Sequence, residues 1–108
     1  MQIEKLKGKL LDAVERYRVM SFSDVSKLGE KRIFEEEGVP SSSGFYCQIE
    51  VAVLDRLVED GVDVSHVSVV ARDEANMLSA ELFFCANGRV RWNGAVYRYK
   101  DGIPEIVS

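Results

Sequence analysis

The chain has 108 residues, 46% of them hydrophobic and 30% charged, with 18 acids against 14 bases and a net charge of -4. That length suits one domain able to bury roughly 65% of its unfolded surface, and the apolar fraction is too high for a disordered chain. The acidic balance opposes binding to nucleic acid phosphates, no apolar run approaches the roughly 18 residues of a membrane span, and residues 1–5 lack the pattern of a secretory signal, so a cytoplasmic protein is expected.

The first segment predicts an amphipathic helix, because Ile3, Leu6, Leu10, Val14 and Tyr17 recur at spacings of three and four with charged residues between them. Gly8 costs that helix about 1 kcal/mol relative to Ala, which its periodicity tolerates. Ser21-Phe22-Ser23-Asp24 has the spacing of a capping box, so a short second helix follows, with Phe22, Val25 and Leu28 as its apolar stripe and Gly29 placed to end it. Glu30 to Gly38, with Ile33-Phe34 as its only apolar pair, is read as a further short helix. Residues 38–44, Gly-Val-Pro-Ser-Ser-Ser-Gly, are the clearest break in the chain, separating a mainly helical part (1–38) from a mainly strand-forming one (45–108).

Beyond the break the period shifts toward two. Phe45, Cys47, Ile49, Val51 and Val53 alternate with Tyr46, Gln48, Glu50 and Ala52, which favours a strand, although Tyr46, Ile49, Val53 and Leu57 also fit a helix. Asp60-Gly61 is a hairpin turn, and Val62 to Arg72 is the returning strand, whose shift of apolar phase predicts a bulge near Ser65-His66. A third strand spans Leu78 to Ala86. Asn87-Gly88 predicts a type I′ turn into a fourth strand, Arg89 to Lys100, interrupted at Asn93-Gly94 by a bulge or a further hairpin. Ile103 to Val107 is an edge strand or a packed tail.

Helices followed by an antiparallel meander define a single α+β domain, with the helical part on one face of a curved sheet of four or more strands. This element order is similar in outline to the cystatin-like and nuclear-transport-factor-like group, in which a long N-terminal helix packs across such a sheet.

Charge is segregated along the chain. Residues 50–81 carry eight acids against Arg56 and Arg72 alone, whereas residues 82–108 carry Arg89, Arg91, Arg98 and Lys100 against Asp101 and Glu105. Asp55, Glu59, Asp60 and Asp63 gather around the predicted Asp60-Gly61 turn. They are either an ordinary solvated turn or a field that draws in a basic protein partner. The second reading resembles small acidic inhibitors of cationic enzymes, such as bacterial immunity proteins against nuclease toxins. A basic and aromatic patch of Arg89, Arg91, Trp92 and Arg98 offers a grip for phosphate or carboxylate, with Trp92 stacking on a base and Arg98 opposite Arg89 if the Asn93-Gly94 turn closes; edge protection by Arg is the plainer reading.

Catalytic and metal signatures are lacking. His66 is the sole histidine, Ser41-Ser42-Ser43 has no identifiable base, and Cys47 and Cys85 are too few for a disulfide framework. The seven glycines at predicted turns form no phosphate-binding loop, and neither calcium nor zinc spacing occurs. The sequence therefore implies no cofactor and no metal, and leans away from an enzyme. Non-catalytic protein binding is the leading reading. A small-molecule-binding or isomerase-like cone is the alternative, with Glu50 or Asp55 as base in an apolar pocket and Tyr46 or Tyr97 as donor. Pairing of sheet edges into a homo-oligomer is a third possibility.

Overall fold

The computed structural model describes residues 3–38 and 45–107. Helix α1 (Ile3–Tyr17) buries Leu6, Leu10 and Val14 of the expected stripe together with Ala13, while Ile3 and Tyr17 at its two ends are partly buried against the core. Helix α2 (Phe22–Ser26) starts where the Ser21 hydroxyl accepts a hydrogen bond from the Asp24 N–H at 3.0 Å, satisfying one of the orphan donors of its first turn. A 3₁₀ turn, Lys27–Gly29, ends this helical part.

Seven strands follow: β1 (Ile33–Glu37), β2 (Cys47–Glu59), β3 (Val62–Arg72), β4 (Met77–Cys85), β5 (Val90–Arg91), β6 (Tyr97–Lys100) and β7 (Ile103–Ile106). They form one antiparallel sheet in the order β1-β2-β3-β4-β6-β7, with β5 also paired to β4. The domain is thus α+β, with α1 packed on a curved, unclosed sheet.

The short helix expected within Glu30–Gly38 is replaced by β1, an edge strand paired with residues 47–51 of β2. Its side chains do not alternate apolar and polar. Ile33, Glu35 and Glu37 share the helix-side face, and the two carboxylates there are matched by cations from α1. Gly38 ends the strand at φ 83°, where a Cβ would collide with the Phe45 carbonyl. The rest of the predicted break, including Ser41-Ser42-Ser43, lies outside the described residues.

The residues from Cys47 onward are strand, which settles the helix-or-strand ambiguity there. Asp60 and Gly61 have φ of 50° and 76°, as a type I′ turn requires, and join the long β2–β3 hairpin. The bulge expected near Ser65-His66 lies on the opposite strand. Val53 pairs with Val67 and Asp55 with His66, leaving Leu54 as the extra residue, while β3 runs in unbroken register against β4. The apparent phase shift in β3 arises because that strand is largely buried on both faces: Val67, Val69 and Ala71 join the core beneath α1, and Val64, Ser68 and Val70 are buried on the other side.

After β4 the expected type I′ turn also differs. Among its residues only Gly88 has positive φ, and the Gly88 N–H donates to the Cys85 carbonyl at 2.9 Å, as in a type I turn closed by a left-handed glycine. The chain then keeps to one side of β4: β5 pairs with Phe83 and Phe84, and β6 with Leu78 and Ser79. Between them Val96 drops into the core, and Asn93 caps its own loop through the Ala95 N–H at 2.9 Å. Residues 103–106 form an edge strand, joined to β6 by a turn at Asp101 and Gly102.

Candidate protein-binding surface

Strand alternation decides which way each charged residue points. On β2, Cys47, Ile49, Val51 and Val53 face the helices; beyond the bulge, Arg56 and Val58 continue that face, and Asp55, Leu57 and Glu59 occupy the other. Arg56 accordingly reaches the helical side, where its guanidinium donates to the Ser26 carbonyl at 3.0 Å.

The four acids proposed from sequence share the hairpin end but not a face. Asp63 pairs across the hairpin with Val58 on the helix-side face, Asp55 and Glu59 lie on the opposite face, and Asp60 is in the turn itself. Glu59 is neutralised by Arg91 at 2.6 Å. Asp55 accepts the Arg56 backbone N–H at 2.8 Å. Among the described residues no cation pairs with Asp55, Asp60 or Asp63. Beside them, Val58 is 69% and Leu54 58% exposed. A groove lined by Phe22, Ser26, Arg56, Val58 and Asp63 runs from the tip toward α2.

The basic patch disperses. Arg91 is committed to Glu59 and lies over the Phe83 ring, while Arg98 forms an ion pair with Glu105 at 2.9 Å. Arg98 pairs with Leu78 near the start of β4 and Arg91 with Phe83 near its end, so Arg98 does not come opposite Arg89: β5 and β6 pair with β4 and not with each other. Trp92 is no stacking platform, because its ring packs against the core and its indole N–H donates to the Ala95 carbonyl at 3.2 Å. Arg89 lines a groove with Glu59, Asp60 and Arg91, so the acidic and basic segments meet here.

Pieces of the alternative site are also separated. Glu50 is held by Arg32 at 2.9 Å and lies 3.9 Å from Arg72. The Tyr97 hydroxyl, three strands away in the same lateral row, accepts from the Asn93 amide at 3.1 Å. The space beneath α1 is filled by Val51, Val67, Val69, Leu82 and Phe84. His66 stacks on Phe83 with ring centroids 4.5 Å apart, and its Nε2 lies 3.6 Å from Glu81. Cys47 and Cys85 are both buried free thiols on opposite faces of the sheet.

A second polar cluster, which sequence reasoning missed, joins α1 to β1. Glu35 accepts two hydrogen bonds from the Arg16 guanidinium, each at 3.0 Å, and another from the Tyr17 hydroxyl; Lys9 meets Glu37 at 2.9 Å. The Arg16 hydrogen bonds hold the Glu35 carboxyl below its ordinary range, and burial, followed by the hydrogen bond to Glu35, raises Tyr17. Burial likewise raises the Cys47 thiol. The available signal was the cationic side of α1 set against the acidic run Glu35-Glu36-Glu37, but only pairing of β1 with β2 brings the two together.

No protein-family model, curated protein or solved structure matches the chain. Its side chains alone therefore carry the functional reading. Among the described residues no helix is long and apolar enough to cross a membrane.

Proposed function

We propose that this chain is a non-catalytic protein-binding module that captures a basic protein partner, in the manner of a cytoplasmic immunity-type inhibitor, with the end of the β2–β3 hairpin. The observation that carries this reading is the pairing of unneutralised Asp60 and Asp63 with exposed Val58 at the tip of a hairpin whose core is otherwise filled. Carboxylates there raise the encounter rate with a cationic surface, and the apolar side chain supplies the desolvated contact that charge alone lacks. Such a partner presents Lys or Arg flanking an apolar residue that enters the groove toward Phe22. Asp55 strengthens the same field from the opposite face. The acids disfavour nucleic acid as the partner.

The test is capture from a source lysate at low and high salt, run in parallel with Asp60→Lys/Asp63→Lys and with a control reversing Glu4 and Asp12 on α1. The expected partner binds the parent chain and the control, elutes as salt rises, and is lost from the tip variant. Equal losses from the tip variant and the control, or retention that salt does not alter, would refute the assignment.

A further inference from the structure

The β2–β3 hairpin outgrows the strand beside it. β1 pairs with β2 only as far as Ile33 and Val51, so among the described residues no strand lies against the outer edge of β2 from Leu54 to Glu59. Leu54, Asp55, Arg56, Val58 and Glu59 are all exposed along that edge. In a hairpin closed by two residues the flanking pair, here Glu59 and Val62, exchanges ladder hydrogen bonds, and inward and outward residues alternate from there. Leu57 therefore bonds inward to β3, and Arg56 and Val58 direct their N–H and C=O groups outward. Two hydrogen bonds agree with that alternation. The Arg56 N–H is met by the Asp55 carboxylate at 2.8 Å, and the Ala86 N–H donates at 2.8 Å to the carbonyl of Asp63, the residue opposite Val58. We infer that this free edge takes up an extended basic segment of a partner protein as an added β-strand.

This mode of capture rests on the hairpin-tip reading and adds to it the shape of the partner. A strand laid beside β2 sets each of its residues on the same face as the residue it opposes. Residues opposite Asp55 and Glu59 fall on the face away from the helices, and those opposite Arg56 and Val58 on the helix side. Glu59 keeps Arg91, but Asp55 has no cation, so Lys or Arg is favoured opposite it. The uncompensated Asp60 and Asp63 extend the same negative field to the tip. An apolar residue opposite Val58, which is 69% exposed, reaches the groove toward Phe22. The segment therefore alternates basic and apolar residues, with main-chain hydrogen bonds giving affinity and the alternate side chains giving specificity.

Asp55 has two parts in this scheme. In the free chain its carboxylate occupies the Arg56 N–H and guards the edge against indiscriminate pairing. When a carbonyl of the incoming strand takes over that N–H, the carboxylate is released to the incoming cation. A second copy of the chain is the poorer occupant, because two-fold pairing of this edge with itself brings two sets of Asp55, Asp60 and Asp63 together. The outermost strands are defended: Glu35 and Glu37 on β1 are tied to α1, and Pro104 stands in β7.

The experiment titrates the isotopically labelled full chain with an acetylated and amidated heptapeptide of alternating lysine and valine, followed by amide resonances and their hydrogen exchange. Binding is expected to protect the Arg56 and Val58 amides. The same peptide N-methylated at each valine, which keeps the charge but loses the donors facing β2, is expected to bind about tenfold more weakly or less. Val58→Pro removes an outward N–H and no bond to β3, so it is expected to cause a similar loss with an unchanged circular dichroism spectrum. Should that variant misfold, the N-methylated peptide carries the test alone. No binding at millimolar peptide, binding without protection of the Val58 amide, equal affinity for the N-methylated peptide, or full affinity in a folded Val58→Pro chain would each overturn the added strand. Protection of the same amides that grows with protein concentration in the absence of peptide would overturn it in favour of a second copy. A lysate partner that Asp60→Lys/Asp63→Lys loses and Val58→Pro keeps overturns the added strand and leaves the hairpin-tip reading standing, so the two failures are distinguishable.

Discussion

Removing one residue from a strand normally turns every side chain on one side of the cut to the opposite face. Leu54 is an exception. Because Val53 pairs with Val67 and Asp55 with His66, deleting Leu54 joins two residues that already occupy consecutive rungs and opposite faces. All cross-strand partners are retained, and the side chain lost is 58% exposed. The expected cost is under about 1 kcal/mol, the remnant of partial Leu burial and a changed local twist. Deleting Ser68 from β3 is the contrasting case, because that strand is in continuous register with β4 and has no slack. Either Val67 or the pair Val69 and Ala71 must leave the core, and the β4 ladder must shift with them. At about 1.5–3 kcal/mol for each fully buried aliphatic side chain, with ladder bonds lost in addition, the penalty approaches the whole stability of roughly 5–15 kcal/mol for a domain of this kind. Urea unfolding followed by far-ultraviolet circular dichroism measures both. A Leu54 deletion as damaging as the Ser68 deletion would refute the assignment of the bulge and of the faces on either side of it.

Two further outcomes follow from packing and charge. Leu10→Ala, at a position of zero exposure between α1 and the sheet, is expected to cost about 2–5 kcal/mol in denaturant unfolding, whereas Val19→Ala, 80% exposed, changes little. Glu35 titrates below its ordinary 4.5 in the folded chain, so its contribution is present above that value and is lost as pH falls through the lowered one; stability measured from pH 5 downward is expected to fall more gently in Glu35→Gln than in the parent.

The elements visible in the sequence are those whose signal is local. The three-and-four spacing of Leu6, Leu10 and Val14 fixes α1, Ser21 and Asp24 mark the start of α2, and Asp60-Gly61 marks a turn with two left-handed residues. Strand β1 was not legible because its helix-side positions are Ile33, Glu35 and Glu37, and the latter two depend on Arg16 and Lys9, distant in sequence. The bulge was misplaced because Val64, Ser68 and Val70 are buried on the face away from the helices, which erases the alternation that reports phase. At the surface, clustering of acids around the turn was legible, but not their division between faces, because that depends on the single extra residue Leu54. Nor could spacing alone show that Arg91 would be spent on Glu59, or that Trp92 would turn inward.

The order of strands in the sheet also bears on how the chain finds its structure. From β1 to β4 and from β6 to β7, each strand pairs with its neighbour in sequence, and the β2–β3 hairpin closes through only Asp60 and Gly61. Zipping can therefore begin at that turn and proceed outward, each added strand needing only a short loop to be closed before its contacts repay the lost entropy. In this strand order no strand has to insert between two already paired, and the surface that α1 covers is supplied by the central strands β2, β3 and β4, each joined to the next in sequence.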